Sequence, residues 1–172
     1  MTDRGNTVLV LGGARSGKSR FAENLARKAG LPLTYLATGQ AFDAEMQDRI
    51  DLHRRDRGPD WTTVEEPLEL TATLQKVSKP DTVILVDCLT LWVSNMMAAE
   101  RDVEKEGRLL AQTLPTLPGQ VIFVSNEVGQ GIVPDNPMAR AFRDFAGRLH
   151  QEMAVMANTV YFVTAGLPQK LK

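Results

Sequence analysis

Short apolar runs alternate with longer amphipathic stretches along most of the chain. Thr7–Leu11, Leu33–Ala37, Thr82–Val86, Gln120–Ser125 and Thr159–Val163 are rich in β-branched residues and lack clean apolar/polar alternation. Continuous apolar strands are what a parallel sheet needs when helices cover both of its faces. Between these runs the spacing predicts helices over Lys18–Ala29, Asp43–Arg57, Leu68–Val77, Leu89–Met97, Val103–Thr113 and Met138–Ala157, and a weaker strand over Trp61–Glu65. That order predicts an α/β fold, a mostly parallel sheet flanked by helices. With no repeat, low-complexity tract or Gly/Ser-rich linker, one domain over 1–172 is expected. Ligands of such sheets sit beyond the carboxyl ends of the strands, so chemistry is expected directly after each apolar run.

The first run bears this out within the sequence itself. It leads into Gly12-Gly13-Ala14-Arg15-Ser16-Gly17-Lys18-Ser19, which satisfies the P-loop spacing. Glycines let backbone N–H groups close around phosphate oxygens, and the helix beginning near Lys18 aims its positive end at the same anion. Lys18 adds a full charge for the β and γ phosphates, and the Ser19 hydroxyl can coordinate Mg²⁺. A chance match has odds of roughly 1 in 100 on average glycine usage. This one also lies between a strand and a helix, where a P-loop belongs. Asp87 ends the third run and suits a metal-supporting acid, or else a cap for the helix that follows. Cys88 beside it reads as a small packing residue, since nothing near it in sequence resembles an activating base.

Composition narrows the class further. Twenty Lys+Arg against 21 Asp+Glu give a formal charge of −1, which argues against a protein that clings to nucleic-acid backbones. Hydrophobic residues at 43 % and charged ones at 24 % sit near globular averages, which excludes a disordered or fibrous chain. No apolar run approaches the roughly 20 residues of a membrane span. With one cysteine and no signal-peptide pattern, a reducing cytoplasmic location is expected.

His53 is one of two histidines. Met46, Ile50 and His53 fall on one apolar helical stripe, so a half-buried structural imidazole is one reading. Arg49, Arg54, Arg55 and Arg57 crowd around it in sequence, and such a cluster suits a triphosphate or a departing pyrophosphate. They also alternate with Asp48, Asp51 and Asp56, as on a solvated face with i,i+4 pairs. His150 lies in the apolar helical pattern of Phe142, Phe145, Leu149 and Met153, which favours packing. Glu127, in Asn126-Glu127-Val128-Gly129, could assist chemistry or hold its loop; the two readings are equally open.

Taken together, the cradle, Ala37-Thr38 with Asp43, Glu45 and Met46, the Arg49-Ile50…His53 segment, the acid after Val83–Val86, and Val124-Ser-Asn-Glu-Val-Gly…Gly131-Ile-Val-Pro134 resemble one family. It is the bifunctional adenosylcobinamide kinase / adenosylcobinamide-phosphate guanylyltransferases of cobalamin biosynthesis, and the resemblance spans Gly12 to Thr164. It implies a P-loop NTPase with a RecA-like core and two reactions. A nucleoside triphosphate, ATP or GTP, phosphorylates the aminopropanol hydroxyl of adenosylcobinamide. GTP then gives its GMP to that phosphate through a guanylylated histidine, releasing pyrophosphate. By position that histidine is His53, with Lys18 the other catalytic residue. The implied nucleotide contacts are Gly12, Gly13, Ala14, Arg15, Ser16, Gly17, Lys18, Ser19, Ala37, Thr38, Gly39, Arg54, Arg55, Asp56, Arg57, Glu65 and Asp87. Ser19 and Asp87 are the implied Mg²⁺ ligands. A homo-oligomer, a trimer, is implied as well, with the corrinoid lying between subunits. Many members carry Glu at the Asp87 position and Asn at the His150 position. Two alternatives remain: a monofunctional P-loop small-molecule kinase with a structural His53, and a RecA-like nucleic-acid motor or regulatory ATPase, for which 6 % aromatics offer few stacking residues.

Overall fold

A computed structural model describes residues 6–40 and 44–172; within the helix over 44–57, the side chains of Glu45, Met46, Arg49, Ile50, His53, Arg54 and Asp56 lie outside the described residues. So does Asp43, where the sequence pattern starts that helix. The elements run β1 (Thr7–Gly12), α1 (Lys18–Lys28), β2 (Leu33–Ala37), α2 (Ala44–Arg57), β3 (Trp61–Glu65), α3 (Leu70–Val77), β4 (Val83–Asp87), α4 (Leu89–Ala98), α5 (Val103–Thr113), a 3₁₀ turn (Leu114–Thr116), β5 (Gln120–Asn126), α6 (Pro137–Met156), β6 (Thr159–Thr164) and β7 (Leu167–Lys170).

All the apolar runs, and the weaker Trp61–Glu65, enter one seven-stranded sheet in the order β3-β2-β4-β5-β1-β6-β7. Every pairing is parallel except β6 with β7. Neighbouring residues of a strand point to opposite faces, so the apolar runs feed two cores. Leu9, Leu36, Ile84, Val86 and Phe123 pack under α3–α6 with Leu74, Trp92, Leu110 and Met153. Val8, Val10, Tyr35, Leu85, Ile122 and Val124 pack on the other face against Ala22 and Ala26 of α1. Helices on both faces explain why these strands do not alternate with polar residues.

β7 lies outside the sequence expectation. Its Leu-Pro-Gln-Lys is wholly exposed at the sheet edge, where a proline is tolerated. Ala165 and Gly166 join it to β6 in a two-residue turn with φ of 52° and 76°, both positive as a type I′ hairpin requires. Glycine meets that demand easily; alanine gives a weaker signal than Asn or Asp would.

Candidate active site

The carboxyl ends of the strands form one row. Ala37 of β2 is in register with Glu65 on one side and Asp87 on the other, Asp87 with Val124, and Gly12 with Asn126 and Val163. β5 therefore stands between the P-loop strand and the strand carrying Asp87.

The P-loop is tightly built. A Cβ on Gly12 would lie 2.5 Å from Ser16 Oγ and 2.7 Å from the Val163 carbonyl oxygen, so only glycine fits there. The Ser16 N–H donates to the Gly13 carbonyl, and Gly17 turns the chain into α1 with φ of 91°. The β6–β7 turn braces the loop from outside, its Gly166 N–H donating to the Ser16 carbonyl at 2.7 Å. Ser16 Oγ is buried and has no hydrogen-bond partner among the described residues. An orphaned hydroxyl inside a cradle of N–H groups suits an incoming phosphate. Lys18 is buried and donates from Nζ to the Gly13 carbonyl at 3.1 Å. Burial holds its ammonium below the usual lysine value, partly offset by Asp87. Ser19 is half-buried in the first turn of α1, while Ala14 and Arg15 are exposed.

Across β5, Asp87 is fixed by contacts distant in sequence. Tyr35 donates from its hydroxyl to Asp87 Oδ2 at 2.9 Å, and burial beside this carboxylate pushes the phenol strongly up. The Arg57 guanidinium stacks 3.1 Å from the centre of the Tyr35 ring. Arg57 is buried, its Nη1 has no hydrogen-bond partner among the described residues, and its carbonyl accepts from Arg27. Among the predicted site residues, Arg57 thus joins Asp87 through Tyr35. Arg55 is exposed and its Nε donates to the Asp51 carbonyl at 3.3 Å on its own helix. Glu65 ends β3 and is exposed, and Gly39 lies two residues beyond the end of β2 and is half-buried. His53, Arg54 and Asp56 belong to α2 by backbone only.

Thr38 has no exposed surface; its hydroxyl donates to the Cys88 carbonyl at 2.7 Å and accepts from the Cys88 N–H at 2.9 Å. It thereby ties the end of β2 to the cis-linked Asp87–Cys88 pair. Burial pushes the Cys88 thiol up to about 11, in keeping with a packing role rather than a nucleophile. Thr90 extends the network, accepting from the N–H and side-chain amide of Asn126 at 3.3 and 3.2 Å. Tyr35 and Thr90 were not predicted; the pairing of β2 with β4 brings in the first, and the start of α4 directly after β4 the second. His150 is buried and shares a 2.7 Å hydrogen bond with Ser125 Oγ; burial lowers its pKa, partly offset by Glu127. Glu127 accepts at Oε1 from the Gly129 N–H and donates its own N–H to the Gly12 carbonyl, which shows its loop-holding role directly.

The family model described as cobinamide kinase / cobinamide phosphate guanyltransferase matches residues 8–171. The bifunctional adenosylcobalamin biosynthesis protein CobP of Pseudomonas aeruginosa is 48 % identical over 166 residues, 95 % of this chain and 96 % of that protein. CobU, the protein so described in Escherichia coli K12, is 39 % identical over 180 aligned positions, 96 % and 99 % of the two chains. Among solved structures, the flagellar accessory protein FlaH of Methanocaldococcus jannaschii superposes with a TM-score of 0.55 at 14 % identity, over 98 % of this chain and 79 % of that one. The RadB recombinase gives 0.50 at 14 % identity, over 92 % and 74 %. Both likenesses show the fold alone, a mostly parallel P-loop sheet flanked by helices.

Proposed function

Because the chain belongs to the cobinamide kinase / cobinamide phosphate guanyltransferase family, we propose that it carries both activities on one nucleotide-binding domain. In the first, the aminopropanol hydroxyl oxygen of adenosylcobinamide attacks the γ-phosphorus of ATP or GTP, and the nucleoside diphosphate leaves. Lys18 and the N–H groups of Gly12–Ser19 bind and neutralise the phosphates, so the step is mostly positioning and charge stabilisation. In the second, an imidazole nitrogen of His53 attacks the α-phosphorus of GTP and pyrophosphate leaves. The adenosylcobinamide phosphate then displaces histidine and takes the GMP.

Mg²⁺ fits the residues present. Ser19 and Asp87 offer hard oxygen donors, and this ion takes its remaining ligands from water and substrate phosphates. Bound there, it neutralises charge on the triphosphate. Arg54–Arg57, Ala37–Gly39 and Glu65 complete the proposed nucleotide contacts. We assign a trimeric, cytoplasmic enzyme on the family resemblance; no helix among the described residues is long and apolar enough to cross a membrane.

The observation that carries this reading is the family match over residues 8–171, which includes every strand end in the site row. Mass spectrometry after exposure to GTP tests it. A GMP adduct on the intact protein that maps to His53, is acid-labile and is absent from His53→Ala is expected. An unmodified protein that still phosphorylates adenosylcobinamide would leave only a kinase.

A further inference from the structure

Of the proposed nucleotide contacts outside the P-loop, those at strand ends (Asp87, Ala37–Gly39 and Glu65) lie to one side of it, at the ends of β4, β2 and β3. On the other side a cleft of about 680 Å³ opens between Gly13–Ser16, the segment Glu127–Gly131 and the end of β6 at Phe162–Ala165. None of the walls beyond the P-loop has been assigned a ligand. Arg15 and Glu127 are the charged groups of the lining; the rest is apolar, neutral or backbone. A second triphosphate would need more cations than this. A neutral arm bearing a hydroxyl needs none, and the volume is in the range of small-molecule sites.

The rim adds an independent observation. Gly131 runs directly into Ile132 and Val133, which are 97 % and 61 % exposed, and Val128 is 36 % exposed. Large apolar side chains left this bare beside a cleft mark a surface that is covered by something. The wall is also anchored to the phosphate site: the Glu127 N–H donates to the Gly12 carbonyl at 2.9 Å, and its carboxylate holds the Gly129 N–H. A ligand seated there is thereby held in a set position relative to the cradle.

The geometry points to this cleft as the acceptor subsite, with the hydroxyl-bearing arm of a corrinoid entering between Ser16 and Glu127 and its body lying on Val128, Ile132 and Val133. This rests on the two-activity reading above and supplies the substrate contacts that reading leaves unassigned. A second copy of the chain is the competing occupant.

The test compares Ile132→Asp and the gentler Val128→Ser with wild type and with Leu109→Asp, a matched control on α5, where Leu109 is 48 % exposed. Cobinamide binding is read by equilibrium dialysis, KM for cobinamide and for nucleotide by initial rates, and assembly by light scattering. Ile132→Asp is expected to raise the cobinamide Kd and KM at least about tenfold, from lost apolar burial and an added charge. Val128→Ser should raise both by a smaller factor, and Leu109→Asp by none. Nucleotide KM and oligomeric state should not change. Unaltered cobinamide binding in both rim variants overturns the assignment. So does an altered oligomeric state in Ile132→Asp, which would make the strip a contact between copies. If wild type forms neither phosphorylated product nor GMP adduct, the two-activity reading fails instead, while dialysis still decides the subsite.

Discussion

Replacing Thr38 by valine swaps a hydroxyl for a methyl of nearly the same shape at a site with no solvent exposure. No cavity forms, so the effect isolates the hydrogen bonds. The hydroxyl has two partners, the Cys88 carbonyl and the Cys88 N–H. The carbonyl keeps another, because the Trp92 N–H donates to it at 3.2 Å. Among the described residues the N–H has no partner besides Thr38, and it is left buried and unpaired. Orphaning one buried donor costs about 1–3 kcal/mol, with about 2 kcal/mol a fair centre. For a chain of this size that lowers the melting temperature by roughly 4–8 °C. Thr38→Ser keeps both bonds and loses a buried methyl, at about 1 kcal/mol.

The expected order of stability in urea or thermal melts is therefore wild type, then Thr38→Ser, then Thr38→Val. Thr38→Val melting within about 0.5 kcal/mol of wild type would refute the staple. Nucleotide kinetics on the same proteins separate the two roles assigned to this residue. If the hydroxyl touches nucleotide directly, KM rises without loss of stability. If it only holds the Asp87–Cys88 corner, stability falls first and any kinetic change follows from a displaced Asp87.

Lys18→Met should remove about 10²–10³-fold of phosphoryl-transfer kcat/KM, since a preorganised charge at the phosphates is lost. The same change should raise the ligand-free melting temperature by a few degrees near pH 7, read by calorimetry. The sign follows from burial: Lys18 holds its proton less tightly when folded, so the unfolded chain binds more protons below 10.5 and stability rises with pH toward that value. His150 has the same sign in a lower window. Its folded imidazole is held below the usual 6.5, so its contribution is present above that pH and is lost as pH falls below it. Urea melts at pH 7 and pH 5.5 should show a steeper loss for wild type than for His150→Asn, and equal slopes would sink this account.

The sheet was legible because burial on both faces writes itself into each strand as an uninterrupted apolar run. β7 was not, since a four-residue exposed edge strand containing Pro168 carries no such pattern. Within the site, the P-loop could be read because its eight residues are contiguous. Tyr35 and Asp87 are 52 residues apart, Thr38 and Cys88 50, and Ser125 and His150 25, so these contacts depend on register and packing that no local window contains. Arg57 was legible as one of the arginines clustered around His53 in sequence, but its stacking on Tyr35 was not. His53 owes its proposed role to family resemblance and the surrounding arginines; its own apolar stripe pointed to the core.

These contacts also bear on how one cradle could serve two displacements. The strand ends around the cradle are cross-braced: Thr38 joins the end of β2 to the end of β4, Thr90 joins the start of α4 to β5, and Glu127 joins β5 to β1. Positioning catalysis needs that rigidity, since small misplacements of a phosphate or its acid are costly. The proposed nucleophile rides on a different kind of support. α2 reaches the sheet at its last residue, where Arg57 stacks on Tyr35 and accepts from Arg27 through its carbonyl. Tyr35 is also the residue that holds Asp87. Arg57 and Tyr35 thus link the end of α2, the helix whose sequence carries the proposed nucleophile, to the acid proposed to support the metal. On the proposed assignments, strand order separates the two chemistries: guanylyl transfer belongs to the β2–β3 side of the cradle and the phosphate acceptor to the β6 side.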